Sequence, residues 1–176
     1  MKDEKLKILK FPDPRLRTVA VKVDKFDKSL ENLAKGMLAL MYKENGIGLA
    51  ASQVDKHIRL IAMDLSEERN EPMFFVNPEY KIVDNHSTDS YEEGCLSVPG
   101  FNETITRPDQ IELSWQDLKG NHHNIVPTGL LTICIHHEMD HLEGKLMLDL
   151  SPIHLFETTR LGMSSYSVFS LSTIIT

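Results

Sequence analysis

His137-Glu138-Met139-Asp140-His141 is an H-E-x-x-H pattern. On a helix, residues four apart fall on one face, one turn apart. Two imidazoles at that spacing reach one metal ion, and a glutamate beside the first stands next to a water held there. That is the residue set for metal-assisted hydrolysis. The bland alternative is a surface helix with two ordinary polar histidines. The surrounding sequence speaks against it, because a helix is expected from Thr128 to about Gly144, with Leu130, Ile133 and Cys134 as apolar backing to the motif.

The spacing alone does not supply a third ligand. Gly144 invites the longer H-E-x-x-H-x-x-G-x-x-H pattern, but Met147 occupies its last position, so that reading fails. His154 and Glu157 lie downstream and are open candidates. Cys134 shares the helix, yet it sits seven residues from His141, about 10.5 Å along the axis. A short thiol arm does not span that distance easily, and a buried, inert Cys134 is the better reading. Cys95 is the other candidate, within Glu93-Gly94-Cys95-Leu96-Ser97-Val98-Pro99-Gly100. Two glycines and a proline shape that backbone for a specific turn. On spacing alone, Cys95 is as easily a buried loop cysteine as a ligand.

These groups need elements to hold them. Lys28 to Lys43 reads as a helix: Leu30, Leu33, Ala34, Met37, Leu38 and Met41 make one apolar face, Asp27 can cap its start and Gly46 follows its end. Gly46 to Val54 is a compact run of small residues. Strand-like runs follow at 58–63, 73–76, 80–83, 103–107, 111–115 and 121–126, and Asp117-Leu118-Lys119-Gly120 makes the last two a hairpin. The expected class is α+β, with short antiparallel strands packed around a central helix that carries the H-E-x-x-H motif. Residues 1–150 form one catalytic domain and 151–176 an atypical tail.

The chain has 176 residues, a net charge of −7 and 41% hydrophobic residues. An acidic balance argues against broad nucleic-acid or anionic-membrane binding. No stretch approaches the roughly 20 apolar residues of a membrane span, and the charged N-terminus does not read as a signal core. A cytoplasmic protein is expected. Two cysteines in a reducing compartment suggest metal or catalysis before a disulfide.

Three separated segments resemble the peptide deformylase family: Gly46-Ile47-Gly48-Leu49-Ala50-Ala51-Ser52-Gln53, Glu93-Gly94-Cys95-Leu96-Ser97, and His136 to His141. Pro12-Asp13-Pro14-Arg15-Leu16-Arg17, Arg107-Pro108 and His141-Leu142-Glu143-Gly144 are also similar to that family, and the likeness covers about residues 5–152. His136 departs from the glutamine usual there and is expected to face away from the ligands.

The resemblance implies that Cys95, His137 and His141 bind one divalent metal, with a fourth position left for water. It implies Fe²⁺ in the cell, with Zn²⁺, Ni²⁺ or Co²⁺ able to occupy the site; the ligand types do not choose among them. Glu138 would act as base and then acid, and the Gln53 side chain and Leu96 N–H would meet the developing oxyanion. Asp140 could orient its neighbours or simply be solvated.

The implied substrate is an N-formylmethionyl peptide, which would release formate. Gly48 and Gly94, near Gly46, would pair with its backbone as with an added strand. Ile47, Leu130, Ile133 and Cys134 would hold the methionine side chain. Bacterial members of the family usually end in a basic helix, whereas residues 151–176 carry only Glu157 and Arg160 as charges. Ribosome contact stays open, but this tail is a poor candidate for it; its alternation reads as an extended strand. Three competing readings remain: an H-E-x-x-H peptidase with a His or Glu third ligand, a binding module with a closed structural zinc, and a deformylase-like chain that has lost activity, against which stands the presence of every catalytic residue type. The second would need a fourth protein ligand and would leave Glu138 idle.

Overall fold

The computed structural model describes residues 6–150; the expected strand in the tail, and the candidates His154 and Glu157, lie outside them. Helix α1 spans Lys28–Lys43. The Asp27 carboxylate accepts from the N–H groups of Ser29 and Leu30, at 2.9 and 3.1 Å, which satisfies two of the donors a helix start leaves unpaired. Strands β1 (Gly48–Ala50), β2 (Leu60–Met63) and β3 (Met73–Ile82) follow, then β4 (Thr88–Cys95), β5 (Val98–Pro108), β6 (Ile111–Gln116) and β7 (His122–Ile125). Helix α2 is Leu130–Leu142. The fold is α+β with antiparallel sheets.

One sheet has the order β1-β2-β3-β6-β7, and β4 and β5 pair separately as a two-stranded sheet. Around β2 the larger sheet is covered on both faces, whereas β7 at its far edge is exposed. Along β2, Ile61 and Met63 join Ala50, Phe75, Ile111 and Leu113 against Ile135, Met139 and Leu142 of α2. Leu60 and Ala62 turn the other way and join Leu49 and Val76 against Leu30, Ala34, Met37 and Met41 of α1. Successive strand side chains point to opposite faces, so a strand between two helices must be apolar throughout, as Leu-Ile-Ala-Met is.

Several elements differ from their sequence expectation: β1 lies in the run read as merely compact, β5 is 11 residues long where 103–107 was expected, and three others are instructive. The runs 73–76 and 80–83 are one strand, β3, carried through a bulge at Asn77, whose φ is +50°. The Asn77 amide makes the detour tolerable, accepting from Val23 N–H at 2.7 Å and donating to Val23 O and Gln116 Oε1 at 2.9 Å. Strand β4 escapes the periodicity test because only Glu93 along it is buried. Helix α2 starts at Leu130 after Gly129, without a side-chain cap, so Thr128 does not cap it. Its end is a left-handed glycine: Gly144 has φ +70°, Lys145 N–H closes back on the Asp140 carbonyl at 2.8 Å, and a Cβ at 144 would also sit 2.4 Å from the Arg17 carbonyl.

Candidate metal centre

Helix α2 buries most of its circumference, His136, Glu138 and His141 included. Burying ionisable groups is costly unless each finds a partner, so polar residues at these depths need a reason.

The reason converges from two elements. The β4–β5 hairpin turns through Leu96-Ser97 and pairs Cys95 with Val98 across the turn. It delivers the Cys95 sulfur to 3.2 Å from His141 Nε2. The ligand atoms of Cys95, His137 and His141 all lie within 4.8 Å of one another. Donor atoms on one tetrahedral ion stand roughly 3.3–3.8 Å apart, so this trio, with His141 fully buried and Cys95 half-buried, fits a single ion. Burial, with the positive charges of His137 and Arg107 nearby, pushes the His141 pKa well below its ordinary value, leaving a neutral ring with a free electron pair. Burial also opposes charge on His137, but its bonds to Cys95 and Glu93 outweigh that and hold its pKa up at about 10. A cation among the three atoms competes with that proton.

His137 is oriented by Glu93, whose Oε2 lies 2.8 Å from the ring Nδ1, leaving Nε2 for the centre. Glu93 is itself gripped by Arg107, through Nε at 2.5 Å and Nη2 at 2.9 Å, and Arg107 reaches Asp140 with Nη1 at 2.9 Å. Burial would raise the Glu93 pKa; the bonds from Arg107 and His137 win and lower it. Asp140 therefore pairs with an arginine and is not simply solvated. Nothing in sequence spacing links Glu93, Arg107 and Asp140; the trace in the sequence is that all three stand in family-like segments. His136 points elsewhere, with its ring edge-on to Tyr80 at 4.8 Å.

Glu138 lies beside this trio. Its Oε2 is buried without a protein hydrogen-bond partner, and burial pushes its pKa up to about 7 against the lowering pull of His137. Gly48 leaves room for it in this position, since a Cβ there would come 2.5 Å from Glu138 Oε1. Gln53 is pinned at both ends of its amide: Oε1 accepts from Ala50 N–H at 2.9 Å, and Nε2 donates to Ser97 Oγ at 3.0 Å while passing 3.8 Å from Cys95 Sγ.

A cleft of about 620 Å³ opens over these groups, lined by Gly46, Ile47, Gly48, Gln53, Gly94, Cys95, Leu96, Leu130, Ile133, Cys134, His137 and Glu138, among others. His141 is the one expected site residue outside that lining; it reaches the trio from behind. Ile47 and Leu130 are 43% and 48% exposed, so they are cleft wall and not plain core. Burial pushes the Cys134 thiol up to about 12, which keeps it protonated.

Three donor atoms that could hold a metal ion, beside a cleft and an unpaired buried carboxylate, are the arrangement that a metal-dependent hydrolase requires. The comparisons with known proteins agree. The polypeptide deformylase family profile matches residues 5–154. A peptide deformylase of Cellvibrio japonicus is 50% identical over 144 residues, 82% of this chain and 85% of that one. One from Acinetobacter baumannii is 51% identical over 149 residues, 84% of each. Among solved structures, a Legionella pneumophila peptide deformylase matches with a TM-score of 0.79 at 40% identity, over 88% of this chain and 91% of that one. A plant peptide deformylase matches with a TM-score of 0.82 at 32% identity, over 92% and 88%. This chain belongs to the polypeptide deformylase family.

Proposed function

We propose that Cys95, His137 and His141 hold one divalent metal ion and that Glu138, Gln53 and Leu96 carry the chemistry around it. The activity is that of the family, hydrolysis of the N-formyl group from nascent peptides. The observation that carries the residue assignment is the convergence of three donors from two elements beside a buried glutamate with one unpaired oxygen.

When bound, the metal supplies Lewis acidity and makes water a nucleophile near neutral pH. The protein supplies the rest. Glu138 Oε2 takes the proton of the attacking water and returns it to the leaving amine. Its raised pKa suits a group that must both accept and release a proton near neutrality. The Gln53 amide and Leu96 N–H donate to the oxygen that gains charge on the formyl carbon, where preorganised donors have most effect. Glu93 and Arg107 keep the His137 ring in its working orientation.

Ile47, Leu130, Ile133 and Cys134 form the apolar wall that takes the methionine side chain, and Gly46, Gly48 and Gly94 leave backbone open to pair with the peptide. Ferrous iron is the cellular metal, with zinc, nickel or cobalt as alternatives. The deep burial of α2 supports reading it as the centre of a single catalytic domain spanning 1–150. No helix among the described residues is long and apolar enough to cross a membrane. A cytoplasmic location, where formylated nascent chains arise, fits that substrate.

Formate release from a formyl-Met peptide, measured with Fe²⁺ loaded anaerobically and with Zn²⁺, tests the assignment. The expected result is turnover with both metals, faster with iron. A loaded protein that cleaves unformylated peptides and releases no formate would overturn it in favour of a peptidase.

A further inference from the structure

We propose that the segment Leu9–Phe11 is a strap that sets the two oxyanion donors relative to one another, with Lys10 as its positioning residue. The proposal rests on Gln53 and Leu96 being those donors. They come from separate parts of the fold, the turn after β1 and the β4–β5 turn. Three consecutive residues tie these parts together. Leu9 N–H donates to the Gln53 carbonyl at 2.7 Å, and Phe11 N–H donates to the Ser97 carbonyl at 2.8 Å. Between them, the Lys10 ammonium donates to the Leu96 carbonyl at 2.5 Å.

The strap is anchored from behind, since Leu9 is buried with Leu16 and Leu146. The β4–β5 turn is only two residues long, and both of its carbonyls are held from this one segment. That leaves the turn's N–H groups little freedom to swing. The direct bond from Gln53 Nε2 to Ser97 Oγ closes the same loop on the cleft side. Backbone bonds at residues 9 and 11 do not depend on side-chain identity, so only the middle contact is written by the residue type. A small misplacement of a catalytic donor is costly in rate, because oxyanion stabilisation depends on preorganised geometry. Lys10 also borders the cleft, so direct contact with substrate is the competing role.

The two roles separate in kinetics on the metal-loaded full-length protein. Lys10→Met keeps the aliphatic stem and removes the donor, and Lys10→Arg keeps a donor. The expected result for Lys10→Met is a kcat lowered roughly three- to tenfold, with KM and metal content unchanged. Lys10→Arg should restore most of the loss. Gln53→Ala, measured in parallel, should lose about 10²-fold in kcat. Wild-type kcat in Lys10→Met beside a crippled Gln53→Ala overturns the strap alone. Wild-type kcat in both overturns the oxyanion assignment and the strap with it. A raised KM at unchanged kcat makes Lys10 a substrate contact, and a matching loss of metal assigns it to the metal centre; either result overturns the proposal.

Discussion

Two histidine–carboxylate pairs in this protein have the same chemistry and different consequences. At the candidate metal centre, His137 meets Glu93 at 2.8 Å, with the side chains 11% and 5% exposed. At the tip of the β6–β7 hairpin, His123 meets Asp117 at 3.2 Å, with side chains 44% and 33% exposed. Asp117 also accepts from the Lys119 and Asn121 N–H groups and the Asn121 amide, bonds that hold its carboxyl well below the usual range. Its work is to tie a turn, and His123 spends its ring stacked on Trp115 at 5.3 Å. Glu93 instead has its other bonds taken by a buried arginine, and the far nitrogen of its histidine faces a thiol and a second imidazole. The pair alone does not make a site. Burial, and what lies on the far side of the ring, decide.

That contrast can be broken at four places. The largest effect is expected from Glu138→Gln, which should lower kcat by about 10²–10⁴-fold while metal content stays normal, because the proposed base is not among the proposed ligands. Normal formate release at normal metal content would remove the functional meaning of the buried corner.

Next, Glu93→Gln should weaken metal binding about ten- to a hundredfold by loosening His137. It should also destabilise the fold by about 3 kcal/mol, because Arg107 loses a buried partner. Chelator titration and urea denaturation read the two effects. The sign of the pH dependence follows from the lowered Glu93 pKa. Its stabilising contribution is fully present above the ordinary value of 4.5 and fades as pH falls through the folded-state pKa. In metal-depleted protein, the stability gap between wild type and Glu93→Gln should narrow below that pH. A gap constant down to pH 3 would contradict the ion-pair account.

The two cysteines offer a third test. Cys95→Ser should deplete the metal, whereas Cys134→Ala should leave metal content unchanged and cost about 1 kcal/mol of packing. Elemental analysis showing the reverse would exchange their roles. The smallest effect belongs to the exposed pair. Asp117→Asn should leave formate release and metal content unchanged and lower the melting temperature only slightly. A loss of metal there would erase the distinction between the two regions.

What could be read from the residues alone was local. The α1 face and its Asp27 cap match the structure because helix period and capping act within a few residues. The i, i+4 histidines needed only a helix to share a face. Strand β4 was invisible because its side chains are mostly exposed and charged, and β3 read as two strands because Asn-Pro signals a break that Asn77 repairs through long-range hydrogen bonds.

The sequence by itself determined that His137 and His141 share a helix face beside Glu138, because spacing along a regular backbone is fixed by bond geometry; Gln53 and Cys95 were marked only by the resemblance of their segments to the family. Choosing Cys95 over Cys134 needed more than spacing. The helical rise argued against Cys134, but only the β4–β5 turn brings the Cys95 sulfur to the two rings. The chain from His137 through Glu93 and Arg107 to Asp140 was also decided by the fold. So was the Lys10 bond to the Leu96 carbonyl. Each of these joins residues far apart in the chain, and such contacts form only where packing closes the loops between them.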